Sequence, residues 1–356
     1  MNANLQCQLQ KALDRWRLFA PFVGTTVTVM DSRLGSWSGA SGYADVELMA
    51  PMPVNAPCYI YSITKTFTAI CCLQLAERGS FSLDETIAHY LPELSLPPTV
   101  TIRRLLNHTA GIPNYTQLED YVPTTRASPS QPWTYEEVLG RTCLGELDFE
   151  PGEDWHYSNT GYMLLKRSIE NVTAGSYAEA IAAGIIEPLG LTNTYVATDV
   201  DDGRLIPGYC PELLELDVMS NVSQVYHPDW CLTGLIVSTT EEIARLYEAL
   251  FAGQLLSPAS LAEMLEWTPC DRNAGNQRNP NGFFSKPSYG LGLMVDPDWK
   301  FGGLYGHGGS GPGFNTWAMY VPDFHGGSLA IVIFCNNTME GHPFRLCKVL
   351  MKLLDG

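Results

Sequence analysis

The sequence predicts an α+β fold, with an antiparallel β-sheet formed by N- and C-terminal segments, flanked by helices, and an inserted mostly helical lobe. Residues 24–30 are rich in β-branched side chains, and residues 36–43 follow a short turn, so together they predict a β-hairpin. The chain between its ends has mainly helical periodicity. Strand-like segments return near the C-terminus at residues 290–295, 304–306, 316–321 and 328–335.

The predicted helices follow from apolar spacing and from capping residues. An apolar helix at residues 67–75 ends near Gly79, a typical C-cap residue. Thr134 and Glu137 predict a capping box. Other helices are predicted at residues 5–19, 159–172, 176–186, 238–252, 257–267 and 344–354.

Two lobes follow from this arrangement of strands and helices. We expect residues 1–60 and 200–356 to form the sheet lobe and residues 61–199 to form the helical lobe. The active site is then expected in the cleft between the two lobes. We find no internal repeat and no linker that separates independent domains.

Composition excludes several classes of partner. The chain has 356 residues, with 38 acidic against 21 basic side chains and a net charge of −17. This charge repels phosphates, so we expect no nucleic acid and no anionic membrane as a partner. A small molecule or a short peptide is the expected substrate, and the oligomeric state is left open.

Cysteine and histidine usage indicates neither disulfides nor metal. The ten cysteines contain no C-x-x-C pair, which favours buried free thiols in a reducing cytosol. The seven histidines show no ligand spacing, so no metal and no cofactor are expected. Residues 1–7 lack the basic and apolar parts of a signal peptide. We therefore expect a cytoplasmic protein; the alternative is an exported one whose signal peptide is absent from this sequence.

A serine and a lysine stand three residues apart where the apolar helix begins. Positions i and i+3 share one face of a helix, so Ser62 and Lys65 can touch. A serine hydroxyl becomes a nucleophile when a base takes its proton, and a lysine can be that base if its surroundings disfavour the ammonium form. The alternative is a capped helix that carries an unrelated lysine.

Two later segments add candidate chemistry. Tyr157 and Asn159 precede a predicted helix; a tyrosine beside a cation can act as a general base or acid, and an asparagine can orient both a substrate amide and the lysine. The glycine-rich residues 306–314 include His307, Gly309 and Ser310. Backbone N–H groups there, with that of Ser62, can form an oxyanion hole. Alternatively, the first segment is a helix cap and the second a hairpin turn.

Other conspicuous side chains are interpreted as structural. We expect His156 to be packed or solvated and His108 to hydrogen-bond within its turn. Aromatic side chains at this density are more often core than pocket lining, which applies to Tyr115, Tyr121, Trp155 and Trp317.

Together the three segments resemble the S-x-x-K, Y-x-N and H-x-G motifs of the penicillin-recognising serine hydrolases. The similarity is to the group of class C β-lactamases, D-alanyl-D-alanine carboxypeptidases, D-aminopeptidases and esterases. Residues 104–113 are similar to the LLxHTSGLP segment of that group, and residues 289–292 also fit. The motifs occur in the family order and cover roughly residues 20–350. The resemblance implies a β-lactamase/transpeptidase-like fold.

The resemblance also implies roles for individual residues. Ser62 would be the acylated nucleophile and Lys65 its neighbour, with either Lys65 or Tyr157 taking the serine proton. Asn159 would bind the substrate amide, and the N–H groups of Ser62 and Ser310 would form the oxyanion hole. His307, followed by Gly309, would stand where many relatives have the lysine of K-T-G.

The histidine favours some members of the group over others. A lysine would present a permanent cation to a substrate carboxylate, whereas an unperturbed histidine is mostly neutral at pH 7. H-x-G is known in the peptidase and esterase branches. We therefore expect a serine hydrolase that cleaves a D-amino-acid peptide or amide, or a carboxylic ester. The alternatives are an acyltransferase or peptide cyclase, a class C-like β-lactamase, and a silent binding protein.

Overall fold

The N-terminal segment forms one edge of a large sheet. The structure, a computed structural model, describes residues 1–20, 22–200, 203–211, 220–270, 284–338 and 343–355. Helix α1 (Ala3–Phe19) precedes strands β1 (Gly24–Asp31), β2 (Gly35–Asp45) and β3 (Ala50–Pro51). Strands β1 and β2 pair antiparallel, which confirms the predicted hairpin.

The next part of the chain is mostly helical. A short strand β4 (Cys58–Tyr59) leads into a 3₁₀ turn (Tyr61–Ile63) and helix α2 (Thr64–Glu77). The capping box predicted for Thr134 is present, with both of its hydrogen bonds. The following elements are α3 (Ile87–Tyr90), α4 (Ile102–Leu106), α5 (Tyr121–Ala127), α6 (Tyr135–Arg141), α7 (Asn159–Thr173), α8 (Tyr177–Ile181), α9 (Glu187–Leu189) and β5 (Tyr195–Val196).

The C-terminal part returns to the sheet. Its last helix has the predicted bounds. The elements are β6 (Ile236–Ser238), α10 (Thr240–Phe251), α11 (Pro258–Leu265), β7 (Thr268–Pro269), β8 (Ser288–Tyr289), β9 (Met294–Asp296), β10 (Leu304–Gly311), β11 (Phe314–Phe324), β12 (Gly327–Cys335) and α12 (Phe344–Leu354).

Within the described residues, nine strands form one sheet in the order β3-β2-β1-β12-β11-β10-β9-β8-β7. Every adjacent pair is antiparallel, and the two chain ends meet where β1 pairs with β12, from Thr25 with Cys335 to Asp31 with Leu329. This confirms the predicted antiparallel sheet. A second sheet, in the order β4-β6-β5, contains strands from both predicted lobes. The division of the chain into two lobes stays a prediction.

Helices cover both faces of the large sheet. Alternate β1 residues Val27 and Val29 are buried in one cluster with side chains of α1 and α12. Thr28 faces the other way and hydrogen-bonds Thr240 of α10 at 2.9 Å. Beyond α10, helix α2 is buried on all sides from Thr64 to Leu75, which explains why its sequence is apolar without a polar stripe.

Two predicted elements differ from the structure. Residues 290–293 are a turn rather than a strand because Gly292 has φ +72°, and its carbonyl accepts a hydrogen bond from Thr66 of α2. The helix predicted at residues 176–186 is interrupted by a π turn, where the Gly184 carbonyl accepts from the Gln74 side chain. In both places a contact with α2 overrides the local pattern.

The structure adds two observations on the chain as a whole. The ten cysteines are free thiols. Among the residues that the structure describes, no helix combines the length and the apolar character that a membrane span requires.

Candidate active site

Ser62 lies in the 3₁₀ turn that begins helix α2. The turn is held on one side by Ile60, whose N–H donates to the Ile236 carbonyl of β6 at 2.9 Å. On the other side, Thr316 of β11 donates its hydroxyl to the Ile60 carbonyl at 3.1 Å. Ser62 is half-buried and opens onto a cleft. Both sheets thus fix the backbone that carries the serine.

Lys65 reaches Ser62 from the first turn of α2. Its Nζ lies 3.3 Å from the Ser62 Oγ and 2.8 Å from the Asn159 Oδ1. The side chain is 1% exposed, and its Nζ lies 4.8 Å and 5.3 Å from the ring centres of Tyr157 and Tyr162. Hydrogen bonds and ring faces therefore replace the water that the buried Nζ loses.

Asn159 begins helix α7 and is oriented by two neighbours. Its N–H donates to the Asn114 Oδ1 at 3.1 Å, and its Nδ2 donates to the Thr116 Oγ1 at 3.1 Å. Because the amide nitrogen donates to the Thr116 hydroxyl, the amide oxygen is the atom that faces the Lys65 Nζ. Ser158 caps the same helix by accepting from the Gly161 N–H. Asn114 and Thr116 belong to no recognised motif, so the sequence alone does not point to them.

Tyr157 is buried beside the lysine. Its ring packs 4.3 Å from the ring of His108, whose Nδ1 accepts the Ser158 N–H at 3.2 Å. The role of His108 is structural, as predicted, but this hydrogen bond joins it to the segment of Tyr157 rather than to its own turn. The neighbouring His156 is directed elsewhere, with its Nδ1 2.7 Å from the Asp148 Oδ2.

His307 is fully buried behind Tyr157, with 6.3 Å between their ring centres. Its Nδ1 lies 2.6 Å from the Gly308 carbonyl, so this nitrogen carries a proton and donates it. Its Nε2 lies 2.8 Å from the Tyr289 hydroxyl, and burial holds the pKa of Tyr289 well above its usual range. Contact between His307 and a substrate stays a prediction.

Gly309 and Ser310 lie at the end of β10, which borders the serine turn. Within the described chain, β9 pairs only with residues 304–306 of β10. Residues 307–311 of β10 continue past this pairing and border the serine turn instead. An alanine Cβ placed at Gly309 would lie 2.1 Å from the Ile60 carbonyl oxygen, so glycine is required for this close approach. Ser310 is exposed and lines the cleft.

The cleft beside Ser62 has a volume of about 210 Å³. Tyrosine side chains form much of its wall, including Tyr115 and Tyr121, so the expectation that these two are simply core was incomplete. Its lining, as far as the structure describes it, is Tyr61, Ser62, Lys65, Tyr115, Thr116, Tyr121, Asn159, Tyr226, Cys231, Thr233, Gly234, Ser310, Gly311 and Pro312. The described part of the chain holds no group of histidine, cysteine and acidic side chains suited to a metal.

The antiparallel sheet, with a serine and a buried lysine at the start of a central helix, is the arrangement of a penicillin-recognising serine hydrolase. A comparison with family models supports this class: residues 17–355 match the family described as Beta-lactamase. The chain belongs to the Beta-lactamase family, and its site has the arrangement of a serine hydrolase.

Two similar solved structures cover nearly the whole chain. The D-stereospecific amidohydrolase from Streptomyces sp. is 28% identical, with a TM-score of 0.80, and the match covers 97% of this chain and 98% of that one. The D-amino acid amidase from Ochrobactrum anthropi SV3 is 26% identical, with a TM-score of 0.80, and the match covers 99% of this chain and 97% of that one.

A curated relative is longer than this chain. Penicillin-binding protein 4* of Bacillus subtilis (strain 168) is 28% identical over 297 residues, which are 77% of this chain. The matched part spans 60% of that relative's length.

Proposed function

We propose that the protein forms an acyl-enzyme on Ser62 and hydrolyses D-amino-acid amides or short D-peptides, with carboxylic esters as further substrates. The observation that carries this proposal is the position of the Lys65 Nζ, 3.3 Å from the Ser62 Oγ and 2.8 Å from the Asn159 Oδ1. A hydroxyl within reach of a buried amine, itself oriented by a third group, is typical of an activated nucleophile.

The proposed reaction has two stages. The Ser62 hydroxyl gives its proton to Lys65 or Tyr157, and the Oγ attacks the substrate carbonyl carbon. The carbonyl oxygen becomes an oxyanion that accepts from the N–H groups of Ser62 and Ser310. The carbon–nitrogen bond then breaks as the amine takes a proton from Tyr157, which receives the serine proton either directly or from Lys65. Water next attacks the Ser62 ester and gives a proton to Tyr157, directly or through Lys65. The Oγ leaves with that proton, so each group returns to its starting state.

The substrate class is supported by the two similar solved structures. Their names are D-stereospecific amidohydrolase and D-amino acid amidase, and both align along 97% or more of this chain. Asn159 accepts from Lys65, and in this proposal it also contacts the substrate amide. In this proposal His307 and Gly309 shape the substrate side of β10, His307 from behind Tyr157 and Gly309 at the serine turn.

Covalent labelling tests the nucleophile. Incubation with a fluorophosphonate is expected to add one adduct per chain, found on Ser62 by peptide mapping and absent in Ser62→Ala. A wild-type protein that stays unlabelled, or that is labelled equally in Ser62→Ala, would overturn the proposal.

A substrate panel tests the bond that is cleaved. D- and L-phenylalanine amide, a D-alanyl dipeptide, a p-nitrophenyl ester and a chromogenic cephalosporin are compared by kcat/KM. We expect the D-amide or D-peptide to exceed its L-counterpart and the cephalosporin. Preference for the cephalosporin would identify a β-lactamase, and transfer to an added amine faster than hydrolysis would identify an acyltransferase.

We also propose a cytoplasmic location. The ten free cysteines support it, because thiols persist in a reducing compartment. Fractionation of the source cells tests it, and recovery of the protein outside the cytoplasm would contradict it.

A further inference from the structure

Tyr61, the residue directly before Ser62, has an unusual backbone conformation. Its φ is +45°, in the left-handed region that residues with a side chain rarely adopt. Strained backbone of this kind persists where surrounding contacts enforce it, and it concentrates at functional sites. The contacts of the Tyr61 side chain therefore matter.

The Tyr61 side chain joins the serine turn to the end of β10. Its hydroxyl donates to the Pro312 carbonyl at 2.5 Å. Burial holds the pKa of Tyr61 well above its usual range, so the phenol keeps the proton that it donates. An alanine Cβ placed at Gly311 would lie 2.2 Å from a carbon of the Tyr61 ring, so the strand has a glycine where the ring packs.

These contacts lie on both sides of the proposed oxyanion hole. Its two donors, the N–H groups of Ser62 and Ser310, come from segments far apart in the sequence. Tyr61 is adjacent to the first donor, and it contacts Gly311 and Pro312, the two residues after the second.

We infer that Tyr61 is a positioning residue, which sets the separation of the Ser62 and Ser310 N–H groups by clamping the serine turn to the end of β10. This inference rests on the proposed function, since it assigns a task within the same site. An oxyanion hole binds the transition state more tightly than the substrate, so its misplacement lowers kcat rather than raising KM.

The first experiment removes the hydroxyl alone. Tyr61→Phe is expected to lower kcat at least about tenfold with KM changed less than about twofold, because a misplacement of about 1 Å costs up to about 10²-fold in rate. Tyr177→Phe is the matched control: Tyr177 is a buried tyrosine outside the described cleft lining, and its hydroxyl bonds Thr68 at 2.8 Å. An unchanged kcat in Tyr61→Phe, or an equal loss in the control, would overturn the inference.

The second experiment tests the contact with β10 by a double-mutant cycle. Gly311→Ala alone is expected to lower kcat about tenfold or more, because the new methyl group displaces the Tyr61 ring. In the Tyr61→Gly background, which removes the ring and suits the positive φ, the same substitution should cause little further loss. Equal losses in both backgrounds would overturn the inference.

Labelling separates this inference from the proposed function. If fluorophosphonate fails to label Ser62 in the wild type, the proposed function fails and the inference fails with it. If Ser62 is labelled but Tyr61→Phe acts like the wild type, only the inference fails. Circular dichroism and urea unfolding of each variant show whether a lost rate reflects a lost fold.

Discussion

Replacing Gly309 by alanine tests whether the fit between β10 and the serine turn controls activity. The new Cβ would lie 2.1 Å from the Ile60 carbonyl oxygen and 2.5 Å from the Thr316 Oγ1. Ordinary contact begins at 3.4 Å, so the turn and the strand must separate by about 1 Å. The Thr316 hydroxyl, which donates to the Ile60 carbonyl, is displaced by the same methyl group.

The size of the expected effect follows from this displacement. A misplacement of about 1 Å near reacting groups lowers the rate by about 10²-fold. Overpacking also lowers the free energy of unfolding by about 1–3 kcal/mol, which leaves a folded protein. We therefore expect Gly309→Ala to fold and to lose about 10²-fold in kcat with the amide or ester that the wild type cleaves best.

Gly140→Ala is the matched control for this experiment. Gly140 lies on the exposed side of α6, and a Cβ there meets nothing within 4 Å. Alanine is preferred to glycine in a helix by about 0.8–1.0 kcal/mol, so this variant should be slightly more stable and fully active. Full activity in a folded Gly309→Ala would refute the reasoning, because the turn would then tolerate a separation that we hold to be damaging.

Three further predictions concern charge and reactivity. Asn159→Leu removes the 2.8 Å acceptor of the buried Lys65 Nζ and should lower the free energy of unfolding in urea by about 1–3 kcal/mol; an unchanged value contradicts the described contact. Burial raises the pKa of Glu248, so the folded protein holds this proton above pH 4.5, where the unfolded chain releases it. The protonated Glu248 side chain therefore contributes stability at low pH, and this contribution is lost as the pH rises. Glu248→Gln, which cannot ionise, should then be more stable than the wild type at pH 7 in urea unfolding. Equal stability of the two proteins both at low pH and at pH 7 would argue against the prediction. Iodoacetamide should modify the exposed Cys7 and Cys143 of the native protein first, as read by peptide mapping, and early modification of buried thiols would contradict their described burial.

Long periodic segments explain why much of the fold was predictable. The hairpin at β1 and β2 and the helix Phe344–Leu354 each combine a clear period with clear ends, and the structure has them as expected. The turn at Gly292 was missed because its cause is a hydrogen bond from Thr66, a residue far away in the sequence. Local patterns contain no record of such a contact.

The same distinction applies to the candidate site. Ser62 and Lys65 are neighbours in one helical turn, so their proximity follows from spacing alone. Asn114 and Thr116, which orient Asn159, reach it from a different segment and carry no motif. The left-handed conformation of Tyr61 was equally invisible, because a tyrosine gives no sequence signal for positive φ.

His307 shows how a correct motif leaves a role open. A lysine at this position would carry its charge on a long flexible stem, whereas the His307 ring is buried with both nitrogens hydrogen-bonded, to Tyr289 and to the Gly308 carbonyl. Burial holds the pKa of the Tyr289 hydroxyl well above its usual range, so this partner of Nε2 stays a phenol. Fixed partners on both nitrogens therefore hold the ring in one orientation behind Tyr157, where a lysine stem would be free to extend toward the cleft.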